Sequence, residues 1–261
     1  MSANLSFTLQ NKVLFIGAMF NRMAITFLLS QLYHQAKQNR WMRYFTGFNR
    51  VALALGFLPS GYVKIAGERF TSLSNNHPMG HYLEALFHTG YYYTFIGVAQ
   101  MTAAVLLLIP RTALLGALLY FPIILNICIL SFSVRFDGSL VSSPLMVLAN
   151  LYLLCWDYDR LKVILQPDSR TVLVNRSKGL SNEFPLAFFA GVLVTVVTVG
   201  FTVLNLFDMK PYNTLNDCQQ NCRDSRNPVA CAEFCDCIHR QGQPLNRCLD
   251  AYNRAVAAQA K

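Results

Sequence analysis

Residues 186–248 read LAFFAGVLVTVVTVGFTVLNLFDMKPYNTLNDCQQNCRDSRNPVACAEFCDCIHRQGQPLNRC, and within them the chain changes character once. Leu186 to Phe207 carries no charged residue and is long enough to cross a bilayer, which takes roughly 20 mostly apolar residues. The chain beyond Phe207 is polar and holds Cys218, Cys222, Cys231, Cys235, Cys237 and Cys248. Such a cluster stays paired where the environment is oxidising and stays as thiols in cytosol. The tail is therefore expected outside the cytoplasm, and the topology of everything before it hangs from that end.

The whole chain fits a membrane setting. Of its 261 residues 54% are hydrophobic and 13% charged, against about 25% charged in soluble domains. The net charge of +9 does not point to nucleic acid, because the tail from Asp208 is nearly neutral. There, Lys210, Arg223, Arg226, Arg240, Arg247, Arg254 and Lys261 face six acidic residues. The positive surplus lies in loops between apolar segments, where it orients helices in a bilayer. Residues 1–10 contain no Lys or Arg, so the first helix is expected to act as its own insertion signal.

Working back from the tail, spans are expected at Leu186–Phe207, at Leu140 or Pro144 to Trp156, at Thr112–Phe132, at Gly90–Ile109 and at Arg50–Ile65. Lys12–His34 is ambiguous. Arg22, Thr26, Ser30 and His34 form a polar stripe every four residues, which suits either an interfacial amphipathic helix or a span turned into a bundle. One set of loops carries Lys37, Arg40, Arg43, Arg50, Arg111, Arg160, Lys162, Arg170, Arg176 and Lys178; the other carries Lys64, Arg69 and Arg135. The excess of positive charge places the first set in the cytoplasm and the tail outside, in agreement with the cysteines.

The stretch from Phe48 to Leu165 resembles the DoxX-like family of four-helix membrane proteins. The resemblance is carried by Arg50, Gly56, Ser60-Gly61 and Lys64 in RVALALGFLPSGYVKIAG. It continues with Gly97 and Gln100 in YTFIGVAQMTAAVLLLIP, and with Gly116, Pro122 and Asn126 in RTALLGALLYFPIILNICIL. It implies a bundle in a bacterial inner membrane. It also implies, in some relatives, a subunit of a thiosulfate:quinone oxidoreductase or a part in periplasmic redox or maturation. Residues 1–49, the last helix and the cysteine tail lie outside that core.

In the tail, Cys218 and Cys222, and Cys231 and Cys235, are each one helical turn apart, so each pair shares a helix face. Asn227-Pro228 suits the start of a helix, and Thr214 with Asp217 suits another. Antiparallel packing then pairs Cys218 with Cys235 and Cys222 with Cys231, leaving Cys237 for Cys248, one of 15 connectivities. The rivals are a metal site starting at Cys235, Cys237 and His239, or thiol exchange, for which the usual Cys-x-x-Cys is absent from the sequence.

Within the spans, Gln100, Asn126 and Asn150 stand on three different segments. Asn126 and Asn150 lie roughly 9 Å, and Gln100 roughly 14–15 Å, below the ends nearest the tail. Lys64, Glu68, Glu84, His88 and Arg135 are expected at the rim above them, and of these all but Glu68 are counted in the pocket. Together these seven residues make a candidate pocket for a small ligand or a quinone head group, or else a set of hydrogen bonds that only holds the bundle. His77, His81 and His88 are read as solvated loop residues, because Pro78 and Gly80 interrupt their spacing. Cys128 and Cys155 are read as small apolar groups, and Tyr91-Tyr92-Tyr93, Trp41 and Trp156 as interfacial aromatics. No residue is assigned to catalysis or to a metal.

The expected fold is an all-α membrane protein. Residues 1–49 form an N-terminal helix and basic loop, 50–165 a DoxX-like four-helix core, 166–207 a loop and last span, and 208–261 an extracytoplasmic, disulfide-stapled helical module. The expected function is that of a non-catalytic membrane subunit or assembly factor docking a periplasmic or secreted partner through that module. Two alternatives stand beside it: a redox subunit with quinone as its cofactor, and a small-solute transporter.

Overall fold

The computed structural model describes residues 30–165 and 180–259. Among them the regular structure is helical, apart from one isolated bridge between Asn39 and Ser181. The helices are α1 (Arg40–Ile65), α2 (Pro78–Phe87), α3 (Tyr91–Leu108), α4 (Ala113–Ser133), the short α5 (Asp137–Leu140), α6 (Ser142–Trp156), α7 (Tyr158–Leu165), α8 (Leu186–Leu204), α9 (Leu215–Gln220), α10 (Pro228–His239) and α11 (Leu245–Gln259). Of the ambiguous stretch Lys12–His34, residues 12–29 lie outside the described residues, as does the 166–168 turn.

The chain divides into two compact units, Met1–Thr46 with Val172–Pro185, and Gly47–Thr171 with Leu186–Lys261. In the first, Asn39 holds the start of α1 by accepting from the Trp41 amide at 2.9 Å. Trp41 in turn packs edge-on against Phe184.

The second unit holds the membrane helices and the cysteine module. Tyr91–Leu108, Ala113–Ser133, Asp137–Trp156 and Leu186–Leu204 are long and apolar enough to cross a membrane, so the chain is an integral membrane protein. On α8, Leu193, Val194, Val197 and Phe201 are exposed, the pattern of a helix whose neighbour is lipid. Helix α1 is not among those four. Its basic and polar residues lower its hydropathy, while Leu53, Ala54 and Phe57 bury themselves in the same core as Ala103, Ala117 and Tyr120.

That core is closely keyed. The ring of Phe57 stacks on Tyr120 at 3.7 Å between centroids, and the Tyr120 hydroxyl donates to the Leu53 carbonyl at 3.1 Å. Asn150 of α6 is fully buried and donates to the Ala117 carbonyl of α4 at 3.1 Å. α1 and α3 meet through glycine. A Cβ on Gly97 would lie 2.8 Å from the Gly61 carbonyl oxygen and 2.8 Å from the Lys64 Cβ, and one on Gly61 would lie 3.0 Å from the Gly97 carbonyl oxygen. Small residues let membrane helices approach closely in this way.

The stretch around His77, His81 and His88, read from the sequence as loop, contains α2. Pro78 does not interrupt a helix here but occupies its first turn, where its missing N–H is no loss. His77 caps it, accepting from the Met79 amide through Nδ1 at 3.1 Å.

In the module, Thr214 caps α9 and Asn227 caps α10. Disulfides join Cys218 to Cys235, Cys222 to Cys231 and Cys237 to Cys248. They form a second core with Met209, Phe234, Ile238 and Tyr252. The last bridge ties α10 to α11, a helix that carries no start signal as plain as those of Thr214 and Asn227.

Gly97→Ala is expected to lower the thermal unfolding midpoint of the detergent-solubilised chain, by the equivalent of about 1–3 kcal/mol. Gly191→Ala, where an added Cβ meets nothing within 4 Å, should leave it unchanged or slightly raised. Equal midpoints for the two variants would show that the α1–α3 crossing tolerates a methyl group.

Candidate functional site

Between α1, α3, α4 and α6, with α2 across one end, lies a cavity of about 650 Å³. This is within the roughly 300–1,000 Å³ of small-molecule sites. Its wall is largely apolar, with Phe57, Phe95, Pro122 and Met146, and Lys64 is the one charged side chain among the residues that line it. Lys64 sits at the end of α1 nearest the cysteine module and is only 5% exposed. Its Nζ donates to the Ser60 carbonyl at 3.0 Å and lies 4.3 Å from the centre of the Phe70 ring and 5.8 Å from that of Tyr93. Among the described residues no carboxylate pairs with it. Gln100 of α3 is 2% exposed, and its Oε1 finds no hydrogen-bond partner among the described residues.

These two side chains flank the glycine crossing. Lys64 Cβ abuts the position of Gly97, one turn before Gln100, and Gln100 Cβ abuts that of Gly61, one turn before Lys64. Asn126 lines the same cavity, so three of the seven expected pocket residues converge on it.

The other four are placed elsewhere. Glu84 forms an ion pair with Arg69 at 2.8 Å and meets His88 at 3.0 Å, where the three tie α2 to the preceding loop. Asn150 lies in the α4–α6 core. Arg135 belongs to the junction with the cysteine module: its Nη1 donates to the Met209 carbonyl at 2.9 Å and its guanidinium covers the Phe207 ring at 4.5 Å. Sequence reasoning missed the serines Ser139, Ser142 and Ser143, which line the cavity. Serine near a predicted helix start is too common to single out.

The module is fixed to the bundle at several points. Lys210 pairs with Asp137 at 3.3 Å. Asn76 donates to the His239 carbonyl at 2.8 Å, and His239 Nε2 donates to the Pro211 carbonyl at 2.6 Å, because a carbonyl can only accept. The sulfurs of Cys222, Cys231 and Cys235 lie within 4.8 Å of one another but belong to two disulfides, so they offer no thiolate to a metal.

His77 is fully buried at this junction rather than solvated. Its ring lies edge-on to Phe136 and 6.3 Å from that of His239. Burial, with the His239 charge as a smaller contribution, lowers its pKa to about 4.

No family model matches the chain, and no solved structure matches it. Over 85 residues it is 42% identical to the uncharacterized protein YwoB of Bacillus subtilis (strain 168), a match that covers 31% of this chain and 54% of that protein. The chain thus spans about half the length of that curated relative.

The low pKa of His77 has a direct consequence for stability. The unfolded chain takes up the proton near pH 6.5, before the folded one does, so stability falls as pH drops from about 6.5 to about 4 and then levels. At about 1.4 kcal/mol per pH unit, the loss approaches ~3 kcal/mol. His77→Asn, which keeps a capping acceptor, should remove that part of the pH dependence in thermal unfolding. Superimposable pH profiles for variant and parent would contradict this.

Proposed function

We propose that the protein is a non-catalytic subunit of a bacterial inner membrane, DoxX-like in plan, that holds a small amphipathic molecule in the cavity beside Lys64. The observation that carries this reading is a buried ammonium group with no carboxylate partner among the described residues, the one charge on the wall of a largely apolar chamber. An uncompensated buried charge is costly and does nothing for a bundle that could be held by leucine. Polar and charged groups at such depth usually face a site. The orphaned Oε1 of Gln100, next to it across the crossing, points the same way.

Orientation is argued from charge and redox chemistry. Arg50, paired with Asp157 at 3.3 Å, stands with Arg160 at the bundle end away from the module, where positive charge favours the cytoplasm. The disulfides favour an oxidising compartment on the other side.

A second reading concerns the module itself. Its disulfide-stapled core, distinct from the membrane core, gives it the rigidity of a docking surface for a periplasmic or secreted protein. In that case the bundle is the anchor.

The test is purification of the full chain from native membrane in mild detergent, followed by native mass spectrometry without reductant. A stoichiometric small-molecule adduct is expected. Lys64→Met should lose it while its unfolding midpoint holds or rises, since the substitution removes a buried charge. A bound quinone would move the assignment to the redox alternative. A protein partner with no adduct would favour the docking reading and sink the cavity one.

A further inference from the structure

We infer that the head group taken by this cavity is a carboxylate, carried on a long single apolar chain; the inference rests on the cavity being a binding site. Three features select this chemistry.

The first is charge. Lys64 is the one charged side chain on the lining. The one acidic side chain of α2, Glu84, is engaged by Arg69 and His88, and Glu68, four residues past Lys64, is exposed and forms no ion pair with it. An ammonium has three donors, and one of them is spent on the Ser60 carbonyl. The rings of Phe70 and Tyr93 face the cation but do not neutralise it. An anion supplies the missing charge and accepts a charge-assisted hydrogen bond, roughly twice as strong as a neutral one.

The second is the arrangement of donors. The Gln100 amide presents either its oxygen or its NH₂ to the cavity, according to how it is turned. A carboxylate accepts from both Lys64 and the Gln100 NH₂ and carries the charge that answers the ammonium; an alcohol can bond to both residues but supplies no charge, and an amine is repelled by Lys64.

The third is shape. Along α1 the cavity is lined by Lys64, Ser60, Phe57 and Gly56. Those eight residue steps span roughly 12 Å at 1.5 Å per residue. Lys64 stands at one end, beside the Phe70 ring, and the Gly56 end is apolar, walled by Phe57 and Met146. A head at Lys64 with an extended apolar chain running toward Gly56 matches that gradient.

The experiment measures saturable binding of radiolabelled hexadecanoate to the full chain in nanodiscs of a zwitterionic lipid. Hexadecanol and hexadecyltrimethylammonium serve as same-length competitors. Hexadecanoate is expected to bind at least about tenfold more tightly than the alcohol, with no competition from the cation. Lys64→Met should reduce the preference to about one, and Lys64→Arg should keep most of it. If the alcohol binds as tightly as the carboxylate to the parent protein, the head-group assignment is overturned while the cavity reading stands. If neither shows saturable binding although all three disulfides are intact, the cavity reading falls with it.

Discussion

The arrangement of this bundle depends on the close approach of α1 and α3 at Gly61 and Gly97. Each glycine lies within van der Waals reach of the other's backbone, so the helices cross at a distance that any side chain would increase. The long side chains flanking the crossing, Lys64 and Gln100, have no room between the helices and are turned toward the chamber bounded by α4 and α6. The crossing also leaves a gap at the end of the bundle, which α2 closes with Met79, Tyr82 and Leu86. The cavity is thus a product of backbone proximity at one point and separation at another.

The opposite strategy governs the rest of the membrane core. Several polar groups bond within the bundle: the Asn150 NH₂ on Ala117, Tyr120 on Leu53, Ser131 on Ile127. Each of these bonds links or caps helix backbone. Two buried amide oxygens, Gln100 Oε1 and Asn150 Oδ1, have no hydrogen-bond partner among the described residues; the first differs in standing on the cavity wall, as Lys64 does. Outside the membrane core, the disulfide module is anchored by a different kind of contact. One ion pair, Lys210 with Asp137, and backbone carbonyls of Met209 and His239 hold it to the α4–α5 turn and to the loop before α2. Buried His77 lies at that seam, so protonation strains the same place where module and bundle meet.

Much of the plan was legible from residue order. Four of the expected spans follow from apolar length alone; Arg50–Ile65, within α1, does not. The caps at Thr214 and Asn227 follow from local hydrogen bonding, because a side chain and an amide three residues on are neighbours whatever the rest of the chain does. Cys218, Cys222, Cys231 and Cys235 pair as two antiparallel helix faces require. The helix at Pro78–Phe87 was not legible, because its cap is a histidine, a weak capping residue by preference, and its proline reads equally as a breaker or a first-turn residue. The fate of the rim residues was not legible either. Glu84 turns to Arg69 and Arg135 to Met209, partners that lie far away in sequence or across a turn of unpredictable direction, while His88 turns to Glu84, one helical turn back.

By itself, then, the sequence determined the class of the protein: helices long enough for a bilayer, the loops that carry positive charge, and a stapled helical tail. These depend on length, composition and contacts within a few residues. Only the tertiary structure decided which polar groups share a chamber. Lys64, Gln100 and Asn126 converge while Glu84, His88, Arg135 and Asn150 do not, because convergence is set by the rotation of each helix about its axis. That rotation is fixed by non-local packing, here the Gly61–Gly97 contact and the Phe57–Tyr120 stack, which no single helix encodes.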